Sequence, residues 1–209
     1  MLTRVPFSQV TITDSFWSPR IATNCEVTTW ACIKKCVETG RVENFMNAGK
    51  SIKGEPHGEF QGLLYNDSDV YKVIEGIAYV LGNQANAQLE AAADEIITAI
   101  ASAQHPDGYI NTYFTLVLPD KRWTDMMYHE MYCIGHMIEA AIAYRETTDK
   151  ELLFHVAVKA ADHLYEHFLA ADVHWIPGHQ EIELALIKLY HATGDKRYLD
   201  LSHYLVEQR

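Results

Sequence analysis

No CxxC pair occurs among the four cysteines, Cys25, Cys32, Cys36 and Cys133. This excludes ribbon-type zinc modules and a disulfide framework. Positive charge is scarce: 17 Lys and Arg stand against 28 Asp and Glu, a net charge of −11. A nucleic-acid surface or an anionic membrane is therefore excluded as a partner. No long charge-free apolar run occurs, and the opening MLTRVPFSQVTITDSFW carries no apolar leader segment. These absences lead us to expect a cytoplasmic protein in a reducing compartment.

What is present is a large apolar fraction, 48% of 209 residues, enough for a true core within one domain or part of a larger one. Twelve Tyr and four Trp are available for core, rim or sugar-facing roles, since each offers an apolar face and a polar tip. Residues 8–13, SQVTIT, alternate in the manner of a short strand. A first helix is predicted over Ile21–Glu38, followed by a polar loop from Gly40 to Gly62. A loop of that length inside a compact domain is functional or disordered.

From Asp67 onward the chain reads as nearly all helix, with helices near 69–81, 87–103, 129–147, 150–169, 180–193 and 196–208. Short turns at 83–86, 147–150 and 193–196 suit antiparallel neighbours. The two later turns are copies: 46 residues separate Tyr144 from Tyr190 and Asp149 from Asp195. The unit is thus a helical hairpin of about fifty residues, repeated. A long insertion, Gln104 to Trp123, interrupts the repeat with Pro106 and Asp107-Gly108. It is rich in Tyr and Trp and leads directly to His129.

Repeated hairpins build either an open solenoid or a closed α/α toroid. Here the helices at 69–81, 129–147 and 180–193 are the more apolar member of each pair, which favours the toroid, whose inner ring is covered on both sides. About three hairpins are legible. An inner seam left unpaired would expose much apolar surface, so an oligomer covering that seam is one expectation, and a longer barrel is the other.

Polar groups stand at the mouth of each inner helix. His129 and His179 precede two of them. Helix N-termini carry free N–H groups, and histidines placed there either cap the helix or hydrogen-bond a ligand's hydroxyls. Asp67, Ser68 and Asp69 open the first inner helix and serve either as N-caps or as ligand contacts. Glu181 can face a pocket beside His179, whereas Glu183 points to another side of the helix and is expected to cap or pair elsewhere. Tyr71 and Lys72 are expected to be a packing and a solvent group. His155, His163, His167, His174, His191 and His203 are assigned to the surface or to helix interfaces. His129 and Cys133, at i,i+4, could hold a metal from one helix face. The spacing supplies no third ligand and Cys133 lies on the apolar face, so no metal site is expected in this chain.

The segments TITDSFW, FQGLLYNDSDVYKVIEGIAY, AQHPDGYINT, HEMYCIGHMIEAAIAY and GHQEIELALIKLYHATGDKRYL, taken together and in order, resemble the N-terminal part of glycoside hydrolase family 127, the β-L-arabinofuranosidases and their relatives. The resemblance covers nearly the whole chain. It implies an all-α region, residues 1–209, forming part of an (α/α)6 barrel after a short N-terminal β segment. It implies retaining hydrolysis of a terminal furanoside by a zinc-bound cysteine thiolate with a glutamate as acid/base. In the family those groups lie downstream of Arg209, so neither catalytic residues nor zinc are expected in this chain. His129 and His179 fall on the family's substrate-contacting histidines. Position 61 is Gln where a family histidine is expected, which bears on the sugar accepted. The expected function is a barrel part supplying some of a small-carbohydrate pocket through His129, His179, Asp67, Asp69 and Glu181, inactive alone. The competing expectations are a non-catalytic carbohydrate-binding or scaffold protein, and a sugar epimerase or lyase on the same toroid.

Overall fold

The structure is a computed structural model that describes residues 5–209. Ten α-helices can be numbered among the described residues: α1 (Trp17–Thr23), α2 (Thr29–Glu38), α3 (Arg41–Ile52), α4 (Asp67–Asn83), α5 (Ala87–Ser102), α6 (Thr112–Leu116), α7 (Glu130–Thr148), α8 (Leu152–Leu164), α9 (Ile182–Thr193) and α10 (Lys196–Glu207). Single π-helical stretches join α1 to α2 and extend α8 to Leu169.

The helices are bounded by local chemistry. Asn86 caps α5 by accepting the N–H of Leu89 at 3.0 Å, and Asp195 caps α10 by accepting that of Arg197 at 3.0 Å. Gly40 and Gly194, both at φ +75°, let the chain turn left-handed where α2 and α9 end. Asp67 and Asp69 occupy the first turn of α4, where negative charge suits the helix dipole.

Pairs of successive helices form hairpins, and the hairpins stack side by side. The inner layer runs α2, α4, α7, α9; the outer layer runs α3, α5, α8, α10, closed against α8 through its π-helical extension. The central stave, α7, buries twelve of its nineteen residues and is apolar nearly all round, as befits a helix covered on several sides. Ile74 and Ile77 of α4, Met137 and Ile138 of α7, and Ala185 and Leu186 of α9 form its dry seam. Each fully buried Ile, Leu or Met contributes about 1.5–3 kcal/mol of transfer free energy.

Two expectations are corrected. Residues 8–13 are not a strand: a 3-10 turn, Phe7–Gln9, leads into extended chain, and no strand exists among the described residues. Alternation alone does not make a strand, because its ladder groups need a neighbour to bond, and none lies beside this segment. The stretch 40–62 is not one long loop either, since α3 fills its first half and supplies the outer helix of a hairpin with α2. Four hairpins are therefore present instead of three. Sequence patterning misses α3 because two of its inward residues are polar. Asn44 is buried and exchanges two hydrogen bonds with the backbone of Gln61, at 2.8 and 2.9 Å, and Asn47 accepts the N–H of Gly58 at 3.0 Å. The short α6 inside the insertion is also additional, capped by Asn111, whose side chain accepts from Phe114 N–H at 3.1 Å.

Candidate sugar-binding site

The mouths of α7 and α9 meet. The imidazoles of His129 and His179 lie 4.8 Å apart, centroid to centroid. Two glycines permit this approach. A Cβ at Gly135 would stand 2.7 Å from Cγ of Glu181, and one at Gly178 would stand 2.8 Å from the carbonyl oxygen of Met126. Either contact would drive the start of α9 away from α7.

His129 adopts φ +61°, a left-handed conformation uncommon for a residue with a side chain. The strain is held by a short turn: Asp125 accepts Met127 N–H at 2.8 Å, and His129 Nδ1–H donates to the Met127 carbonyl. In the neutral ring that bond places the proton on Nδ1 and leaves Nε2 as an open acceptor. His179 forms no hydrogen bond among the described residues, so both of its ring nitrogens are open. Strained backbone of this kind gathers at ligand sites. Trp123, at φ +56°, is a second such residue, and it lines a recess together with Met126, His129, Tyr132, Trp175 and His179.

Tyr132 joins these groups. Its ring lies 5.8 Å from His129, 5.0 Å from His179 and 4.5 Å from His136, and Lys72 Nζ sits 4.5 Å above its centroid. Tyr65 closes the other side of His129 at 5.1 Å. One turn deeper, Glu181 faces His136 at 3.3 Å. Burial, then the neighbouring Glu139 and Glu75 carboxylates, push the Glu181 carboxyl up to about 7, against the pull of Lys188 and Lys72. Burial, with Lys72 alongside, brings His136 down to about 4, so that imidazole is neutral near neutral pH.

Glu130 secures the insertion to the first residue of α7. Its carboxylate accepts Tyr109 Oη–H at 2.5 Å and Trp123 N–H at 2.9 Å. Burial raises it to about 7 even though both bonds favour the ionised form. The Trp123 indole in turn stacks on His163, 6.1 Å away. His163 is half-buried there, and the exposed His167 stands beside it, 6.0 Å from the Trp123 ring.

The sequence-predicted residues therefore divide. His129 and His179 line one recess, and Glu181 lies behind it, against His136. Asp67 does not line it: its buried carboxylate is filled by Thr112 N–H at 2.8 Å and Thr112 Oγ–H at 2.5 Å, which ties α4 to the insertion. Asp69 turns to Arg41, at 2.8 Å. Glu183 pairs with Arg209, also at 2.8 Å. Sequence reasoning missed Tyr132, His136 and Lys72 as members of the site. Their signal was helical spacing, because Tyr132 and His136 follow His129 by three and seven residues, one stripe of α7.

The four thiols are free. Burial pushes Cys25 and Cys133 up and raises Cys36 to about 11, so none of these three is a thiolate at neutral pH. Cys32 is exposed. Among the described residues no three His, Cys, Asp or Glu side chains converge as metal ligands do. The residues present do not fit the zinc centre that the resemblance implies, and no chemistry of this chain is routed through one.

Stacked helical hairpins with an apolar inner layer give the chain the α/α-toroid class of fold. The chain belongs to the GH127 family: residues 9–209 match the family model described as "Beta-L-arabinofuranosidase, GH127 catalytic domain". It is 43% identical over 169 residues to the non-reducing end β-L-arabinofuranosidase of Bifidobacterium longum subsp. longum, an alignment covering 77% of this chain and 25% of that protein. It superposes on a GH127 β-L-arabinofuranosidase from Geobacillus stearothermophilus T6 with a TM-score of 0.88 at 39% identity, covering 96% of this chain and 33% of the other. A second GH127 β-arabinofuranosidase gives a TM-score of 0.90 at 38% identity, covering 98% of this chain and 34% of that one. The chain thus spans between a quarter and about a third of the length of these relatives.

Proposed function

We propose that this chain supplies one wall of a β-L-arabinofuranoside pocket, in which His129 and His179 contact the terminal sugar and Glu181 accepts one of its hydroxyls. The observation that carries this reading is the 4.8 Å approach of the two imidazoles across the α7–α9 mouth. His129 Nε2 accepts a sugar O–H, and His179 either donates or accepts. The aromatic faces of Tyr132 and Tyr65 suit the apolar faces of a furanose.

Hydrolysis by this chain alone is not part of the proposal. Glycoside cleavage needs two groups set across the scissile bond. Glu181 is a carboxyl poised near neutrality, yet the three buried or half-buried thiols are held protonated and none stands opposite it as a nucleophile. Asp67 and Asp69, committed to Thr112 and Arg41, are left out of the contact set.

The test is calorimetric titration of the 209-residue chain with methyl β-L-arabinofuranoside. Binding is expected, with a loss of at least about tenfold, or 1.4 kcal/mol, in His129→Ala and in His179→Ala. Unchanged affinity in both variants would favour the scaffold alternative and overturn the proposal. An aryl β-L-arabinofuranoside assay should show no turnover.

Two further assignments belong to the same proposal. All four thiols are free, which suits a reducing, cytoplasmic setting, and among the described residues no helix is long and apolar enough to cross a membrane. The outer edge of α9 exposes Leu184 (50%) and Ile187 (38%), and in the isolated chain a second copy covers it.

A further inference from the structure

We propose that Lys72 is a direct sugar ligand and a specificity-determining residue of this pocket, donating from its ammonium to an oxygen of the bound furanose. The inference rests on the sugar-pocket reading above and extends it to a residue that sequence spacing assigns to solvent.

Three observations carry it. Lys72 is half-buried on α4, and among the described residues it forms neither an ion pair nor a hydrogen bond; it sits over the face of Tyr132, at 4.5 Å, within electrostatic reach of Glu181 and His136. The other lysines that are half-buried or better behave differently: Lys150 is bracketed by Glu90 and Asp94, and Lys188 is tied to Glu139. An ammonium partly removed from water with all three N–H donors unclaimed by protein acceptors is a donor set awaiting an acceptor. Second, Tyr132 carries Lys72 into the site, because the same ring touches His129, His179 and His136. Third, the hydrogen-bonding signs are complementary. His129 Nε2 is an acceptor at the recess, and behind it the buried Oε1 atoms of Glu181 and Glu139 have no hydrogen-bond partner. Such a wall reads the O–H protons of a sugar and answers its oxygen lone pairs only through the single N–H of His179. Lys72 is the donor that completes it. The alternative, an ammonium merely packed on an aromatic ring, gains about 0.5–1 kcal/mol at an exposed site and requires no ligand.

Lys72→Met keeps the apolar stem on Tyr132 and removes the donors; Lys72→Arg keeps charge and donors. The affinity for methyl β-L-arabinofuranoside is measured by calorimetry on the full 209-residue chain. Lys72→Met is expected to weaken binding at least tenfold, with Lys72→Arg recovering part of the loss and both variants unfolding at the wild-type denaturant midpoint. A histidine NMR titration without sugar supplies an independent readout: the His136 midpoint should rise in Lys72→Met and stay in place in Lys72→Arg. Wild-type binding with equal affinity in Lys72→Met overturns the ligand role and leaves the histidine wall standing. An unmoved His136 midpoint overturns the seat of Lys72 on Tyr132. Absence of sugar binding by the wild-type chain removes the pocket reading and this inference together.

Discussion

Glu130 shows how a single buried carboxyl couples the site to pH. It is 4% exposed, and its pKa is raised to about 7 from an unfolded value near ~4.3. A raised carboxyl favours the folded state fully below the unfolded pKa, and that contribution is lost as pH rises through 7. Asp67, pushed up to about 6 by burial, and Glu181 act in the same direction. The contribution of these three carboxyls should therefore fall between pH 4 and 8, against the rise that the lowered imidazoles of His105 and His136 supply between about 4 and 6.5. In Glu130→Gln the fall should lessen by the equivalent of one titrating group, measured as urea unfolding free energy against pH. An identical slope in the variant would show that Glu130 does not titrate as its burial demands. Thr112 offers a companion case. Thr112→Val removes a hydroxyl donor from the buried Asp67 carboxylate, and a cost of about 1–3 kcal/mol is expected from equilibrium denaturation. The histidines at 129 and 179 were legible from sequence as mouth residues. The commitment of Asp67 to Thr112 was not, because 45 positions separate the partners and no local pattern links them.

At the scale of elements, the contact between α7 and the start of α9 decides whether a hollow exists. Gly135 makes it possible. A methyl group there meets Glu181 Cγ at 2.7 Å and Ile182 N at 3.2 Å, and backbone cannot yield as a flexible side chain can. Gly135→Ala is expected to cost about 1–3 kcal/mol by overpacking. It should also weaken sugar binding more than Gly76→Ala, because Gly76 has open space around it. Equal effects at the two glycines would remove the close-approach account. The helices that sequence periodicity located are those whose inward faces are apolar: α4, α5, α7, α8, α9 and α10. Of the two it missed, α6 is a five-residue turn of helix inside the insertion and α3 faces inward with Asn44 and Asn47. Asn44→Ala should release the chain around Gln61, detected as faster amide exchange there. The predicted strand failed for the converse reason: its pattern was local, while the ladder it required had no neighbour.

For the molecule as a whole, four hairpins leave two lateral edges. Leu184 and Ile187 project from α9 at one of them. In sedimentation velocity the isolated chain should self-associate with rising concentration, and Leu184→Glu with Ile187→Glu should return it to monomer. A wild-type monomer at all concentrations would remove the second-copy assignment. The amino-acid order by itself determined the hairpin period, the identity of the inner staves and the family, because helical amphipathicity and capping act over three or four residues and are written locally. The tertiary structure alone decided which mouth residues share a hollow. It brought His129 to His179, moved Lys72 from solvent onto Tyr132, and withdrew Asp67 and Asp69 into other bonds. Those outcomes depend on the lateral stacking of helices tens of residues apart, fixed by close packing at Gly135 and Gly178, and no short-range pattern encodes them.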